Sequence, residues 1–197
     1  MQFFPPNQLF YGEGVRQDRE AALRHYRKAA RAGDVFAMAN IGRMYRDGDV
    51  LKQSWSNALR WFKRSAERGN VRAIVLLGEI YGGRWDYPSN SQQAVKWLRL
   101  AATEGDPASM CDLGVHYANG DGVDEDMGQA TKLYRLAAQE RDSWAAYLLG
   151  LCYRDGDGVT RSRRWATYWF EKAAKAGEDE AAEALREMAV GDAAGLR

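Results

Sequence analysis

The chain has few cysteines and histidines, two residue types that often carry out catalysis or bind metals. Its 197 residues include two cysteines, Cys111 and Cys152, and two histidines, His25 and His116. Two cysteines far apart in sequence do not make a disulfide framework, so both are expected to be packing thiols. His25 stands where other segments carry tryptophan and His116 precedes a tyrosine, so packing explains both. We expect no metal site and no catalytic histidine.

The chain also lacks an excess of one charge and long apolar runs. Lys and Arg total 28 and Asp and Glu total 27, which gives a net charge of +1. Such a protein has no broad attraction for nucleic acid or anionic lipid. The longest apolar runs are too short for a membrane helix, and the first residues lack the pattern of a secretory leader. The sequence predicts a soluble chain with no nucleic-acid partner and no membrane span, and it leaves the compartment open between the cytoplasm and, if a leader has been removed, the periplasm.

Sequence motifs for catalysis and cofactor binding are missing as well. The chain has no His-Glu-x-x-His, Gly-x-Ser-x-Gly, Gly-(x)4-Gly-Lys or Ser-x-x-Lys pattern. Two acidic, glycine-rich runs, at residues 119–126 and 155–158, look faintly like calcium loops. Val123 and Val159 stand at the fifth ligand position, however, and no bidentate Glu follows at the required spacing. Turn formation explains these runs better, so we predict no enzyme activity, no catalytic residue and no cofactor.

What the chain does contain is a period of 36 residues. Glycine recurs at one position of the period, tyrosine recurs three residues later, and a second glycine position ends each unit. A fixed period of this length is the signature of a repeat protein, in which each unit buries its apolar face against its neighbours. The fourth unit departs from it, because Arg141 takes the final glycine position. The recurring residues are Gly42, Gly78, Gly114 and Gly150; Tyr45, Tyr81, Tyr117 and Tyr153; and Gly33, Gly69, Gly105 and Gly177.

Each unit is expected to hold two helices joined by a loop with paired glycines. Each helix begins after a short polar side chain that accepts hydrogen bonds from backbone amides. The second helix carries apolar residues at the spacing of a buried face, where Gly42 and Ala58 let two helices approach and the rings of Trp61 and Phe62 fill the space beside them. The first-helix caps are Asp34, Asn70, Asp106 and Asp142, the second-helix caps are Asp18, Ser54, Asn90, Asp126 and Ser162, and the fullest loops cover 12–15, 120–123 and 156–159.

These motifs resemble the Sel-one-like repeat family, a relative of the tetratricopeptide repeats with a slightly longer unit. The resemblance rests on Ala-(x)3-Ile-Gly-(x)2-Tyr-(x)2-Gly at 37–48, Leu-Gly-(x)2-Tyr-(x)2-Gly-Asp-Gly-Val at 113–123 and Trp-Phe-(x)2-Ala-Ala-(x)2-Gly at 169–177. It covers residues 9 to about 190. It implies an all-α fold, an α-α superhelix or solenoid of about five 36-residue helical hairpins, and a role as an adaptor or scaffold that binds other proteins.

The period divides this single continuous domain into successive segments. Pro5 and Pro6 fall where a first helix should present apolar residues, so the opening unit is expected to be incomplete, either as a cap or because the chain begins within a repeat. Glu180, Glu183 and Glu187 decorate a polar final helix that suits a solubilising cap. The expected segments are a truncated first repeat at 1–34, repeats at 35–70, 71–106, 107–142 and 143–178, and a capping helix and tail at 179–197.

A protein or peptide partner is expected on the face of the first helices, which line the concave wall in tetratricopeptide arrays. Its N-terminal half is mainly basic and its C-terminal half is aromatic and apolar, as in interface hot spots. Such a wall suits an extended peptide or a helix with an acidic end and apolar anchors. The wall residues are Phe36, Arg43, Arg46 and Asp47; Arg72, Val75 and Glu79; Cys111, Val115 and Asn119; and Trp144, Tyr147, Leu151 and Arg154.

Two alternatives to this placement stay open. Trp144, Tyr147 and Leu151 would pack onto the neighbouring helix if the register were wrong by one residue. The arginines are either a clamp for the partner or ordinary solvated surface. In the third repeat, the loop at 84–88 replaces the glycines with Trp85 and Tyr87. These rings either face outward as a second binding surface or fold back over the gap.

The predicted function is that of a non-catalytic adaptor or scaffold that binds a segment of a partner protein. A variant suggested by the range of roles in bacterial members of the family is an immunity or chaperone protein that sequesters a secreted toxin or enzyme. A structural spacer is another alternative, and the oligomeric state stays open. A β-lactam-type hydrolase, suggested by cysteine-rich relatives, is disfavoured because paired cysteines and a serine–lysine pattern are both missing.

Overall fold

The protein folds into helices that pack consecutively along the chain within two compact units. The computed structural model describes residues 6–12 and 18–195, and among these residues there are eleven helices and no strand. The all-α fold class predicted from the sequence is confirmed. The units divide between Pro88 and Ser89. The helices are α1 (Pro6–Tyr11), α2 (Arg19–Arg31), α3 (Val35–Asp47), α4 (Trp55–Ala66) and α5 (Val71–Tyr81) in the first unit, and α6 (Ser91–Thr103), α7 (Pro107–Asn119), α8 (Met127–Gln139), α9 (Ser143–Asp155), α10 (Arg163–Lys175) and α11 (Asp179–Gly195) in the second.

Polar caps decide where the helices begin. Each helix from α2 to α10 follows a residue whose side chain accepts a hydrogen bond from the backbone N–H three residues later. Before α9, for example, Asp142 Oδ1 accepts from the backbone N of Ala145 at 2.7 Å. Each such cap stabilises a helix by about 1 kcal/mol. All of the capping residues predicted from the sequence are confirmed.

A ring laid against a glycine holds three of the hairpins together. A β-carbon at Gly150 on α9 would lie 2.5 Å from Cδ1 and Cε1 of Phe170 on α10, and Phe170 is fully buried. Because real β-carbons do not approach ring carbons so closely, only glycine leaves room for the ring. This confirms that small residues let the paired helices approach. The same approach joins α3 to α4, through Gly42 and Phe62 at 2.6 Å, and α7 to α8, through Gly114 and Tyr134 at 2.5 Å.

The glycine-rich loop at 156–159 packs against the preceding repeat. Gly158 has a φ of +68°, and a β-carbon there would collide with the backbone carbonyl of Met127 at the start of α8. Thr131 on α8 is buried, and its Oγ1 lies 2.7 Å from the carbonyl oxygen of Met127 and 3.1 Å from that of Asp157. The loop is therefore a packing element, in agreement with the turn interpretation. In the first of the three loops, residues 13–15 lie outside the described residues.

Three of the recurring tyrosines each contact a basic side chain from the second helix of the preceding repeat. Arg135 Nη2 on α8 donates to Tyr153 Oη on α9 at 3.1 Å. The partners in each case are 18 residues apart, so the period itself carries this contact between repeats. The equivalent pairs are Arg99 and Tyr117, with a hydrogen bond of 2.9 Å, and Lys63 and Tyr81, with the ammonium 5.5 Å from the ring centroid.

The departures from the repeat have visible consequences. Arg141 keeps the backbone of the glycine that it replaces, with a φ of +69°, whereas Gly105 and Gly177 have φ values of +88° and +104° at the equivalent positions. At the start of the chain α1 has six residues where α3 has 13. Pro5, to which the sequence assigns part of this shortening, lies outside the described residues.

Candidate functional site

The residues predicted for the C-terminal half of the wall lie along α9. Trp144, Tyr147, Leu151 and Arg154 follow the helical spacing of one stripe. The Trp144 side chain is 42% exposed, and its ring centroid lies 5.1 Å from that of Tyr147. The Tyr147 ring in turn lies 5.9 Å from the ring of the buried Phe170. The exposed indole is therefore held, through Tyr147, by the core of the α9–α10 hairpin.

The other residues predicted for this half are more buried, or make more contacts within the protein, than the sequence suggests. Val115, Tyr147 and Leu151 are half-buried against the core of the second unit. Arg154 binds Asp155 through two hydrogen bonds of 2.8 Å, which lowers the pKa of the Asp155 carboxyl and raises that of the guanidinium. Trp144 is thus the member of this stripe that offers the most open surface.

Cys111 does not belong to the wall. Its side chain is 3% exposed, and burial raises the pKa of its thiol. The prediction that it lines the wall is wrong, because the residue points into the core of the second unit. The prediction that both cysteines are packing thiols is confirmed, since Cys152 is also buried and free.

In the first unit, three of the predicted residues line one depression. Phe36, Arg43 and Arg72 surround a volume of about 260 Å³ on α3 and α5, and Phe36 is 67% exposed. Neither arginine forms an ion pair with another described residue. Arg43 also faces Tyr26, where burial raises the phenol pKa to about 12 and the guanidinium opposes that rise. The depression combines an exposed ring with two uncompensated positive charges.

Arg46 and Glu79 are engaged by the loop at 84–88. The Arg46 guanidinium lies 4.3 Å from the ring centroid of Trp85 and forms an ion pair of 2.6 Å with Asp47. Glu79 forms an ion pair of 2.6 Å with Arg84. A guanidinium over an indole contributes about 0.5–1 kcal/mol at a partly exposed site. These contacts fix the loop on the ends of α3 and α5.

Tyr87 also folds back onto the helices. Its ring centroid lies 5.4 Å from that of Trp55 and 5.9 Å from that of Tyr81. Both Trp85 and Tyr87 are half-buried. Of the two arrangements open for this loop, the structure has the one in which the rings cover the gap. A partner-binding role for them stays a prediction.

One exposed pair of aromatic residues lies outside the predicted wall. Trp165 and Tyr168 on α10 are 46% and 41% exposed. The helical spacing of the second helices predicts their buried stripe and does not single out these exposed rings. The signal is present in the sequence, since the residues 36 positions earlier are Gln129 and Lys132, both polar.

The histidine and acidic residues of the second unit have structural roles. Nδ1 of His116 lies 2.8 Å from the carbonyl oxygen of Asp121. A carbonyl only accepts hydrogen bonds, so this nitrogen carries the proton and ties the glycine loop to α7. No group of three or more metal-binding side chains occurs within residues 6–12 and 18–195. None of the described helices has the length and apolar character needed to cross a bilayer.

The repeat sequence and the hairpin geometry together identify the family. The Sel1 repeat pattern matches residues 9–34, 35–70, 71–106, 107–142 and 145–178. The chain belongs to the Sel1 repeat family. The resemblance seen in the sequence is therefore confirmed. Sel1 repeat proteins are generally protein-interaction modules.

Solved Sel1-type structures share this fold. The Sel1 repeat protein from Oxalobacter formigenes is 29% identical, with a TM-score of 0.80 over 88% of this chain and 71% of that one. The protective antigen c5321 of uropathogenic Escherichia coli, described as having an SLR fold, is 30% identical, with a TM-score of 0.82 over 89% of this chain and 38% of that one. Helicobacter pylori cysteine rich protein B, at 24% identity and a TM-score of 0.52, covers 69% of this chain and 98% of its own, and shares the fold alone. None of the curated proteins matches.

Proposed function

We propose that this Sel1 repeat protein is a non-catalytic adaptor or scaffold that binds a segment of a partner protein on the face of its first helices, expected to be concave. The observation that carries the proposal is the exposed ring of Trp144, which rests on Tyr147. Tryptophan is enriched at interface hot spots because it buries a large area with few torsions to order. A ring already fixed by its neighbour loses little entropy on binding.

The depression in the first unit supports the same function by independent chemistry. An exposed Phe36 beside Arg43 and Arg72 suits a segment that brings an apolar side chain and a carboxylate. Because neither arginine has an ion-pair partner among the described residues, a carboxylate would gain an attraction without breaking an existing pair. The exposed surfaces of the two units thus favour a partner with both apolar and acidic side chains.

A photocrosslinking experiment tests this function. An aromatic photoreactive amino acid, which keeps a large ring at position 144, replaces Trp144 in one variant and Leu136 in a control, and each is irradiated in an extract of the organism that makes the chain. Leu136 is a fair control because it is 49% exposed on α8, a second helix of the same unit. We expect mass spectrometry to find a defined peptide of one protein attached at 144 and not at 136.

Affinity for the protein so identified then measures the contribution of the ring. Trp144→Ala should weaken binding by about 2 kcal/mol or more, and Leu136→Ala should leave it within about 0.5 kcal/mol. Tyr147 is left unchanged because it packs against the core. Equal affinity of the Trp144→Ala protein and the unmodified protein would contradict the proposed surface. A secreted toxin or enzyme as the captured protein would specify the immunity variant of this function.

A further inference from the structure

A second cluster of aromatic side chains lies on the surface of α10. The ring of Trp165 is nearly parallel to that of Tyr153, with centroids 6.1 Å apart, and meets the Tyr168 ring edge-on at 5.5 Å. Tyr168 meets the ring of Trp169 edge-on at 5.1 Å. We call Trp165, Tyr168 and the adjoining Lys172 the α10 patch. Its two exposed rings are held from below by aromatic neighbours.

The repeat fold does not require these rings. The positions of Trp165 and Tyr168 are filled by polar residues in the three preceding second helices, and two of these helices, α4 and α8, form the same hairpins. Nearly half of the surface of each of these two large side chains therefore stays in water after the hairpin has folded. The equivalent residues are Asn57, Gln93 and Gln129 for Trp165, and Arg60, Lys96 and Lys132 for Tyr168.

Positive charge is concentrated around the same rings. Residues 161–175 contain five basic residues and one acidic residue, Glu171, so this segment carries +4 while the whole chain carries +1 and the remainder therefore −3. Arg161 and Arg164 are exposed, and Arg163 donates to the carbonyl oxygen of Met188 at 2.6 Å. The Lys172 ammonium lies 5.0 Å from the Tyr168 ring centroid. Basic residues thus adjoin the two rings in sequence, and the Lys172 ammonium contacts one of them.

We propose that the α10 patch binds an acidic segment of a partner protein, in which Asp or Glu side chains flank an aromatic or aliphatic anchor. The anchor covers Trp165 and Tyr168, and the carboxylates pair with the surrounding Arg161 and Arg164. A short segment meets only the +4 surface, whereas a membrane or a nucleic acid would also approach the net-negative remainder of the chain. Charge complementarity thus favours a peptide over an extended polyanion.

This surface differs from the one in the proposed function. The indole of Trp144 contacts Tyr147, whereas that of Trp165 contacts Tyr153 and Tyr168, so the two share no ring. Substitution of one leaves the other in place. Failure of the proposal for α9 therefore would not imply failure of the proposal for α10, and the reverse also holds.

Binding of short fluorescein-labelled peptides, followed by anisotropy, tests the α10 patch. Each peptide of the panel places two phenylalanines or leucines, at varied spacing, among Asp and Glu residues, and a matched set carries Asn and Gln instead. We expect at least one acidic peptide to bind, and its amide counterpart to bind at least about tenfold more weakly. The affinity of the acidic peptide should fall with added salt.

Two variants separate the rings from the charge. Trp165→Gln with Tyr168→Gln keeps the net charge and should weaken the acidic peptide about tenfold or more. Arg161→Gln with Arg164→Gln keeps the rings and should lower both the affinity and its dependence on salt. Leu136→Ala, which removes an exposed apolar side chain from α8, should leave peptide binding unchanged. Circular dichroism should show unchanged helical content in the ring-free variant, since glutamine already occupies the position of Trp165 in α8.

Several results would overturn the proposal. Equal peptide affinity of the ring-free variant and the unmodified protein would show that the rings are not the docking site. If no acidic peptide binds, or if acidic and amide peptides bind equally well, charge has no role in binding at this patch. Self-association that disappears in the ring-free variant would assign the patch to a second copy of this chain, and binding to phosphatidylglycerol vesicles in preference to peptides would assign it to a lipid surface.

Discussion

The contact between Gly150 and Phe170 makes a strong prediction about what holds a hairpin together. Gly150→Ala places a methyl group 2.5 Å from two carbons of a ring that is fully buried and also packs against Tyr147. Because the ring has no empty space to move into, the helices must separate. Overpacking of this kind costs about 1–3 kcal/mol, and we place this case near the upper end.

Helix propensity offsets part of that cost. Replacing glycine by alanine inside a helix contributes about 0.5–1 kcal/mol, so we expect Gly150→Ala to lower the free energy of unfolding by about 2 kcal/mol. Gly128→Ala on α8 is the matched control. A β-carbon there meets only the Asp126 carboxylate oxygen, at 3.2 Å, so this substitution should be neutral or stabilise by up to about 1 kcal/mol.

A compensating change sharpens the test. In the third repeat leucine stands at the position of Phe170, as Leu98. Phe170→Leu alone should cost about 1–3 kcal/mol through lost packing, but with Gly150→Ala it makes room for the methyl group. Urea unfolding followed by circular dichroism should therefore give a double variant more stable, by about 1 kcal/mol or more, than the separate losses predict. Additive losses, or a loss for Gly150→Ala no larger than for Gly128→Ala, would refute the close-packing argument.

Two further predictions concern the second unit. Arg141→Gly should raise the free energy of unfolding by about 0.5–1 kcal/mol, because relief of the left-handed backbone outweighs the added freedom of the unfolded chain, whereas Arg141→Ala should give no gain in the same urea titration. Burial raises the pKa of both Cys111 and Cys152, so above about pH 8.5 the unfolded state binds fewer protons and stability falls as pH rises, by up to about 1.4 kcal/mol per pH unit for each thiol. The variant with both cysteines replaced by alanine should show a shallower fall between about pH 8.5 and pH 10, and parallel curves would contradict this origin.

Much of the fold follows from the sequence because short-range chemistry determines it. A capping side chain such as Asp142 needs only the amide three residues away, and Gly150 needs only the ring of its own hairpin. Both interactions recur at intervals of 36 residues, so agreement among the repeats reveals them. The contact of Arg135 with Tyr153 recurs equally, but it joins different repeats, and its meaning depends on how neighbouring helices pack.

The site was harder to predict because exposure depends on how far each side chain extends and on what packs beside it. Cys111 and Val115 occupy successive turns of α7, yet the first is buried and the second half-buried. The rings of Trp85 and Tyr87 find partners on α3, α4 and α5 that no local pattern reveals. Helical spacing places residues on a stripe, and packing then decides which of them a partner can reach.

Comparison between repeats separates the residues that build the fold from those that are free for other roles. A position filled identically in the four full repeats, such as that of Gly150, is explained by a close contact within the hairpin. A departure that leaves a large apolar side chain exposed has no such explanation. Tyr87 departs from the repeat and is half-buried against Trp55, whereas Trp165 departs and, although it packs on Tyr153, remains 46% exposed. By this criterion the exposed surface of Trp165 is the stronger sign of an external ligand, since burial against a partner is the route left by which that surface leaves water.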